Sequence, residues 1–428
     1  MKILGLLVFC GMAALPQQVV LRAARLFDGR SEVLQTPGLV VVEAGRITGV
    51  GPSAVLKPGA KVIELGDATL LPGFMDAHVH LTGEIGQDSR QDTIDGMART
   101  AAETALLGTK YLRATLHAGF TTVRNLGAGD FVDVAMRNAI ARGAVEGPRI
   151  LAASKSLGSI GGHCDPMNGV APDFFGREPD WKDGVVSGAE SARQAVRYNV
   201  KYGADVIKIC ATGGVLSRNN DVDSPQLTLD EIGAIIDEAH AKGKRVAAHA
   251  HGASGAKRAI RMGVDSIEHG SFLDEEALTL MKQKGTFYVP TLHAVWSLEE
   301  RLKTGGVMDP RTQAKLKMAS RRIGETFRSA AARGIRVAFG TDAGVGIHGT
   351  NAEEFVLMVK GGLKPIDALR AATSVDAELF GIAGDLGALE AGKIADVVAV
   401  PGNPLDDIAQ TRHVFFVMKD GAVVKNSR

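Results

Sequence analysis

With 428 residues, 45% of them hydrophobic, the chain can bury a large core and has room for more than one domain. Lys plus Arg (49) nearly balances Asp plus Glu (48), which removes any electrostatic case for nucleic acid or an anionic membrane surface as a partner. Three cysteines, Cys10, Cys164 and Cys210, exclude a disulfide framework; one Cys164–Cys210 bridge is conceivable but is not expected.

The chain opens with Met1-Lys2, then an almost wholly apolar run from Ile3 to Leu15, then Pro16-Gln17-Gln18. A charged start, an apolar stretch and small residues at Ala13-Ala14 read as a secretory signal over 1–18, so the mature protein is expected to be secreted or periplasmic. The run is too short to span a bilayer, which takes about 20 apolar residues, and no other run qualifies.

From Val19 to about residue 70, short runs such as Leu39–Val42 and Arg46–Val50 are bounded by Gly, Pro or Asp, the pattern of a small β-domain. From 71 to 379, β-branched runs alternate with longer helical stretches. Eight runs can be placed: Phe74–His80, Phe120–Asn125, Arg149–Ser154, Asp205–Ala211, Arg245–Ala250, Ser266–Gly270, Phe287–Leu292 and Arg336–Asp342. Several follow a helix that stops at glycine, as at Gly119, Gly243, Gly263, Gly285 and Gly334. Eight βα units in about 250–300 residues is the arithmetic of a (β/α)8 TIM-type barrel. From about 380 the short-strand pattern returns, ending in a predicted hairpin around Lys419-Asp420-Gly421. The expected fold is therefore α/β: a barrel over 71–379, with 19–70 and 380–428 pairing into a composite β-sandwich domain.

In such a barrel the chemistry sits at the C-terminal ends of the strands. In the first run His78 and His80 are two apart, so they share one face of a strand and suit metal ligation better than packing. The later runs end in Lys208, His249, His269 and Asp342. One strand-end histidine is ordinary; four, with an aspartate and a lysine, point to a metal centre.

With these residues the chain resembles the metal-dependent amidohydrolase superfamily. Gly161-Gly162-His163-Cys164-Asp165, Ala211-Thr212-Gly213-Gly214-Val215 and Ala248-His249-Ala250-His251-Gly252 are similar to the imidazolonepropionase-like branch that includes Xaa-Pro dipeptidases and related carboxypeptidases. The resemblance implies two divalent metals, zinc by type. His78, His80 and Asp342 would hold one, His249 and His269 the other, and a carboxylated Lys208 would bridge them. It implies that a water shared by the ions becomes the nucleophile, with Asp342 as proton carrier to the leaving amine. Lys208 argues against imidazolonepropionase activity, because those enzymes use one metal without a bridging lysine. His163 and His251 are candidates for binding substrate carboxylate and polarising the carbonyl. Arg218 is a weaker carboxylate candidate, and His348 could line the pocket. Asn125 stands where relatives commonly show Asp, which puts the packing behind the site in question. The expected activity is hydrolysis of dipeptides or N-acyl amino acids, including ochratoxin-type amides. A cyclic amide or imidazolone hydrolase and a non-catalytic metal-binding barrel are the alternatives. The expected partners are a small-molecule or dipeptide substrate and further copies of the same chain, with no membrane span.

Overall fold

Six strands open the chain: β1 (Val19–Ala23), β2 (Arg25–Leu26), β3 (Gly38–Glu43), β4 (Arg46–Val50), β5 (Lys61–Glu64) and β6 (Ala68–Pro72). The computed structural model describes residues 17–172, 176–217 and 219–427. Nearly all of the expected signal segment, and Arg218, lie outside the described residues. Four of the opening strands form a sheet in the order β4-β3-β1-β5. In β1, Leu21 and Ala23 are buried while Arg22 between them is exposed, which gives that sheet an inner face.

Next come parallel strands separated by helices. β7 (Phe74–Val79), β8 (Phe120–Asn125) and β9 (Arg149–Ala152) form one three-stranded parallel sheet. A short parallel pair, β10 (Gly158–Ser159) with β11 (Val185–Val186), follows. β12 (Val206–Cys210), β13 (Arg245–Gly252), β14 (Ser266–Phe272) and β15 (Phe287–Val289) form a four-stranded parallel sheet in that order. Such strands are buried on both faces, which explains their continuous apolar runs. The connecting helices include Leu229–Ala241, which starts on a Thr228/Glu231 capping box. Ala253–Met262 and Glu275–Lys284 end on Gly263 and Gly285 in the left-handed conformation, as their glycines predict. Two further helices, Leu292–Lys303 and Pro310–Ala332, lie beyond β15.

The eighth expected run departs from the sequence reading. Residues 336–342 form no ladder strand; Val337 and Ala343 make isolated parallel bridges to Tyr288 and Val79. The cause is local: Asp342 has φ 59° and Gly344 φ 115°, which break extended geometry. Main-chain hydrogen bonds still reach both neighbours, from Ala338 N to Tyr288 O (2.9 Å) and from Ala77 N to Phe339 O (2.8 Å). On the other side, Leu157 bridges Ile209 in parallel.

The last strands are β16 (Val397–Pro401), β17 (Phe416–Lys419) and β18 (Ala422–Asn426). β17 and β18 pair as the expected hairpin, turning through Asp420 (φ 52°) and Gly421 (φ 77°). β16 pairs with β6, giving a five-stranded sheet in the order β18-β17-β16-β6-β2. Leu21, Val40 and Leu70 share a buried cluster with Val397, Phe416 and Met418, so the two chain ends pack together. Against the parallel strands, Phe74, Phe120, Phe339 and Phe355 pack ring to ring, with centroids 4.4–6.5 Å apart. All four are fully buried, and each such burial stabilises by about 1.5–3 kcal/mol. Among the described residues no helix is long and apolar enough to cross a membrane.

Candidate active site

His78 lies on β7 and His80 just past its end, with ring centroids 5.4 Å apart. His78 is fully buried, and its Nδ1 lies 2.9 Å from Glu268 Oε2 on β14. That contact leaves Nε2 facing Lys208 Nζ at 3.3 Å and Asp342 Oδ1 at 3.5 Å. His80 Nε2 is 3.2 Å from the same carboxylate oxygen. β13 contributes His249 and His251, whose rings are 4.9 Å apart, and β14 contributes His269, 4.6 Å from His249. The expected set is therefore gathered in one place: His78, His80, Lys208, His249, His269 and Asp342.

Two groups of side chains have donor atoms close enough to hold an ion: His249, His251 and His269, and His78, His269 and Asp342. The fit to metal can be tested on the ring nitrogens that face away. His269 Nδ1 is 2.8 Å from Thr291 Oγ1, His249 Nε2 is 3.1 Å from the Gly213 carbonyl, and His251 Nδ1 is 2.9 Å from Ser271 Oγ. Each imidazole thus has one nitrogen tied to an outer partner and one turned inward, as metal-binding histidines do. Burial pushes the pKa values of His78, His249 and His269 well below the ordinary histidine value, assisted by neighbouring cations such as Lys208. Neutral imidazole is the ligating form. The same burial lowers Lys208 to about 8, even though Glu268 and Asp342 oppose the shift. Burial would raise the Asp342 carboxyl, but His78 and the His80 contact hold it below the usual carboxylate range. His269 (φ 69°), Asp342 (φ 59°) and Thr291 (φ 49°) all adopt left-handed backbone, a strain that concentrates at functional sites.

A cavity of about 230 Å³ opens over these groups. Part of its wall is aliphatic: Val215 and Leu216 from the loop after β12, Val295 and Leu298 from the first of the two helices beyond β15, and Leu316 and Ile323 from the second. His163 also lines it. The His163 ring stacks on His249 at 4.2 Å, and its Nδ1 lies 2.5 Å from Ser217 Oγ. Burial lowers His163 to about 4 and His251 to about 3.

Other expectations meet the structure differently. His348 does not line this cavity; its Nε2 is 3.0 Å from Gly83 O and its ring stacks on Tyr111. Arg218 lies outside the described residues. Cys164 and Cys210, not expected to bond, are joined by a disulfide with their Cα atoms 5.9 Å apart. A low cysteine count excludes a framework but not one pair, and here the loop after β9 folds back onto β12. The sequence raised Asn125 only as a departure. Its Oδ1 accepts from Leu81 N (2.7 Å), and its Nδ2 donates to Gly127 O (3.1 Å) and Asp133 Oδ2 (3.2 Å), tying two loops together. An aspartate there would face Asp133 without a proton to give.

Sequence reasoning also missed the groups behind the ligands. Arg124, almost fully buried, donates to Glu268 Oε1 (2.9 Å) and to Ala77 O (2.7 Å). Asp76 accepts from His78 N (3.0 Å), Thr341 Oγ1 (2.6 Å) and Asn351 Nδ2 (2.8 Å), and burial raises its pKa to about 6. The available signal was charge inside apolar strand runs: Asp76, Arg124 and Glu268 each interrupt one.

A family model, that of the amidohydrolase family, matches residues 69–425. The chain belongs to the amidohydrolase family. This amidohydrolase is 32% identical to the ochratoxinase of Aspergillus niger over 426 residues, covering 95% of this chain and 86% of that protein. A Xaa-Pro dipeptidase solved with methionine in its active site superposes with a TM-score of 0.90 at 41% identity, over 96% of this chain and all of that one. A prolidase in complex with N-methylphosphonate-L-proline superposes with a TM-score of 0.86 at 34% identity, covering 96% of this chain and 100% of the other. The amidohydrolase is thus a hydrolase acting on amide bonds.

Proposed function

We propose that this amidohydrolase cleaves the amide joining an acyl group to a C-terminal amino acid, in dipeptides and N-acyl amino acids. The observation that carries the reading is the inward convergence of His78, His80, Lys208, His249, His269 and Asp342, with the opposite nitrogens of His78, His249 and His269 held by outer partners. The ligands named above for a dipeptidase and a prolidase, a free amino acid and an acyl-proline mimic, agree with it. So does the aliphatic wall, which suits an apolar side chain or acyl group.

In this reading His78, His80 and Asp342 would hold one divalent ion and His249 and His269 a second, with zinc favoured by the imidazole-rich donor set. Lys208, with its pKa lowered to about 8, has enough neutral amine to take up CO2, and as a carbamate it would add hard oxygen donors to that set. Bound metal would supply an activated water and a Lewis acid at the scissile carbonyl. Asp342 receives the proton of the attacking water on its carboxylate and passes it to the leaving nitrogen. His251 donates to the substrate carbonyl, and His163 receives the carboxylate of the C-terminal residue. Arg218 is a further candidate for that carboxylate.

The family fold supports a closed barrel over 71–379, with Val337 and Ala343 closing one seam and the Leu157–Ile209 bridge the other. The paired chain ends support a composite β-domain from 19–70 and 380–428. Export through the 1–18 segment and assembly into a homo-oligomer complete the proposal.

The test is turnover of a panel of N-acyl amino acids and Xaa-Pro dipeptides by protein loaded with zinc in bicarbonate buffer. Hydrolysis to the acyl-side carboxylic acid and the free C-terminal amino acid is expected. Two bound metals with no turnover across the panel would remove this substrate class.

A further inference from the structure

We propose that Lys315 positions the His163 subsite: its ammonium fixes the main chain at Gly214, Ser217 and Asn220, and that main chain presents Ser217 to His163. The proposal rests on the reading of His163 as the receptor for the substrate carboxylate.

Lys315 lies on the helix Pro310–Ala332 and is 6% exposed. Among the described residues it forms no ion pair with a carboxylate. Instead its Nζ donates to Gly214 O (3.0 Å), Asn220 O (3.2 Å) and Ser217 O. An ammonium has three N–H donors, so these three carbonyls use all of them. A cation without a counter-charge is costly to bury, and its complete satisfaction by one turn of chain marks that turn as held in place.

The held turn acts on His163 at two points. Ser217 Oγ accepts from Gly214 N (3.1 Å) and lies against His163 Nδ1. In the arrangement that leaves an N–H for the substrate carboxylate, the hydroxyl proton points at Nδ1. The imidazole then carries its own proton on Nε2, the nitrogen left for a ligand in the cavity. Gly214 supplies the second point. A side chain added there would lie 2.6 Å from His163 Cε1, so the ring rests directly on bare backbone, and the His249 ring stacks on it. The ring's seat and the partner of its Nδ1 are thus both set by a loop that Lys315 holds. An arginine would not reproduce this, because its planar fork does not match three convergent carbonyls.

The experiment compares kcat/KM for an N-acyl amino acid with that for the same compound bearing a C-terminal carboxamide, using zinc-loaded protein. Lys315→Met is expected to raise KM for the carboxylate substrate about tenfold or more, as loss of a charge-assisted hydrogen bond does. The kcat, the metal content and the carboxamide rate stay near those of the unaltered protein. His163→Ala should produce the same loss, and the double variant little more, since the two act on one contact. Should Lys315→Met fail to fold, Ser217→Ala keeps the anchor, removes only the last link and is expected to reproduce the KM effect. Preference for the carboxylate surviving Lys315→Met or Ser217→Ala, or effects that multiply with His163→Ala, would overturn the role of Lys315. No turnover of either substrate by the unaltered protein would overturn the functional reading and the subsite with it.

Discussion

Replacing Glu268 with Gln separates the ligands from what holds them. Glu268 is fully buried between two cationic or donor groups: one oxygen is 2.9 Å from His78 Nδ1, the other 2.9 Å from Arg124 Nη2. Glutamine keeps the shape but removes the charge and brings an NH2 group. Whichever way the amide turns, that group meets either the His78 N–H or the Arg124 guanidinium, donor against donor. Arg124 is then a buried cation without its counter-ion, a change that costs about 3–5 kcal/mol in comparable sites. His78 also loses the partner that aims its Nε2, and loss of such a partner typically weakens metal binding about 10–100-fold. Denaturant unfolding of metal-free protein measures the first effect, and competition with a chelator of known affinity measures the second. The pair Glu268→Gln/Arg124→Met should recover part of the stability, because the orphaned charge is gone, while metal affinity stays low. A Gln variant within about 1 kcal/mol of the parent and unchanged in metal affinity would refute the reasoning, since that is below the loss of even one charge-assisted bond.

Lys208→Met should abolish activity yet stabilise the metal-free protein by up to about 3 kcal/mol, because the lysine pKa falls from 10.5 to about 8 on burial; an unfolding curve shifted the other way would contradict this. Acid should destabilise the metal-free protein through histidines held neutral. Above pH 6.5 His163 and His251 are neutral in both folded and unfolded chains; as pH falls below that, the unfolded chain takes up protons that the fold refuses until about 4 and about 3. Stability is therefore full above pH 6.5 and declines toward pH 3, and a His163→Gln/His251→Asn variant should show a shallower decline between pH 6 and 4, read by denaturant titration at each pH. The Cys164–Cys210 bond spans 46 residues, and closing a loop of that length is worth about 4 kcal/mol in the chain-entropy model. Cys164→Ser should lower unfolding stability by that order and loosen His163 beside it; full stability with a raised KM would assign the bond to positioning alone.

Much of the centre was legible because strand ends advertise themselves. His78-Val79-His80, Lys208, His249, His269 and Asp342 each close a β-branched run, and the two-residue period places paired histidines on one face. The runs themselves were nearly correct, with ends shifted by a few residues where a ladder stops short of the polar turn. The final run was not, because Asp342 and Gly344 adopt left-handed backbone that no pattern of apolar residues encodes. Long-range partnerships were also invisible. Nothing local says that Arg124 meets Glu268, or that Lys315 reaches Gly214 some hundred residues away. Cys164 and Cys210 could be counted but not placed, since their approach depends on how a 46-residue excursion returns to its sheet.

The clustered donor groups and the aliphatic residues that line the cavity stand on different parts of the chain. Donors sit at or near the ends of the strand runs, gripped by buried partners such as Glu268 and Thr291. Leu298, Leu316 and Ile323 sit on helices that line part of the cavity. Exchanging those three for smaller or larger residues alters what fits while leaving every donor atom where it is. Selection can therefore retool the pocket for a new amide by changing helix faces alone, and the hydrolytic machinery is inherited intact.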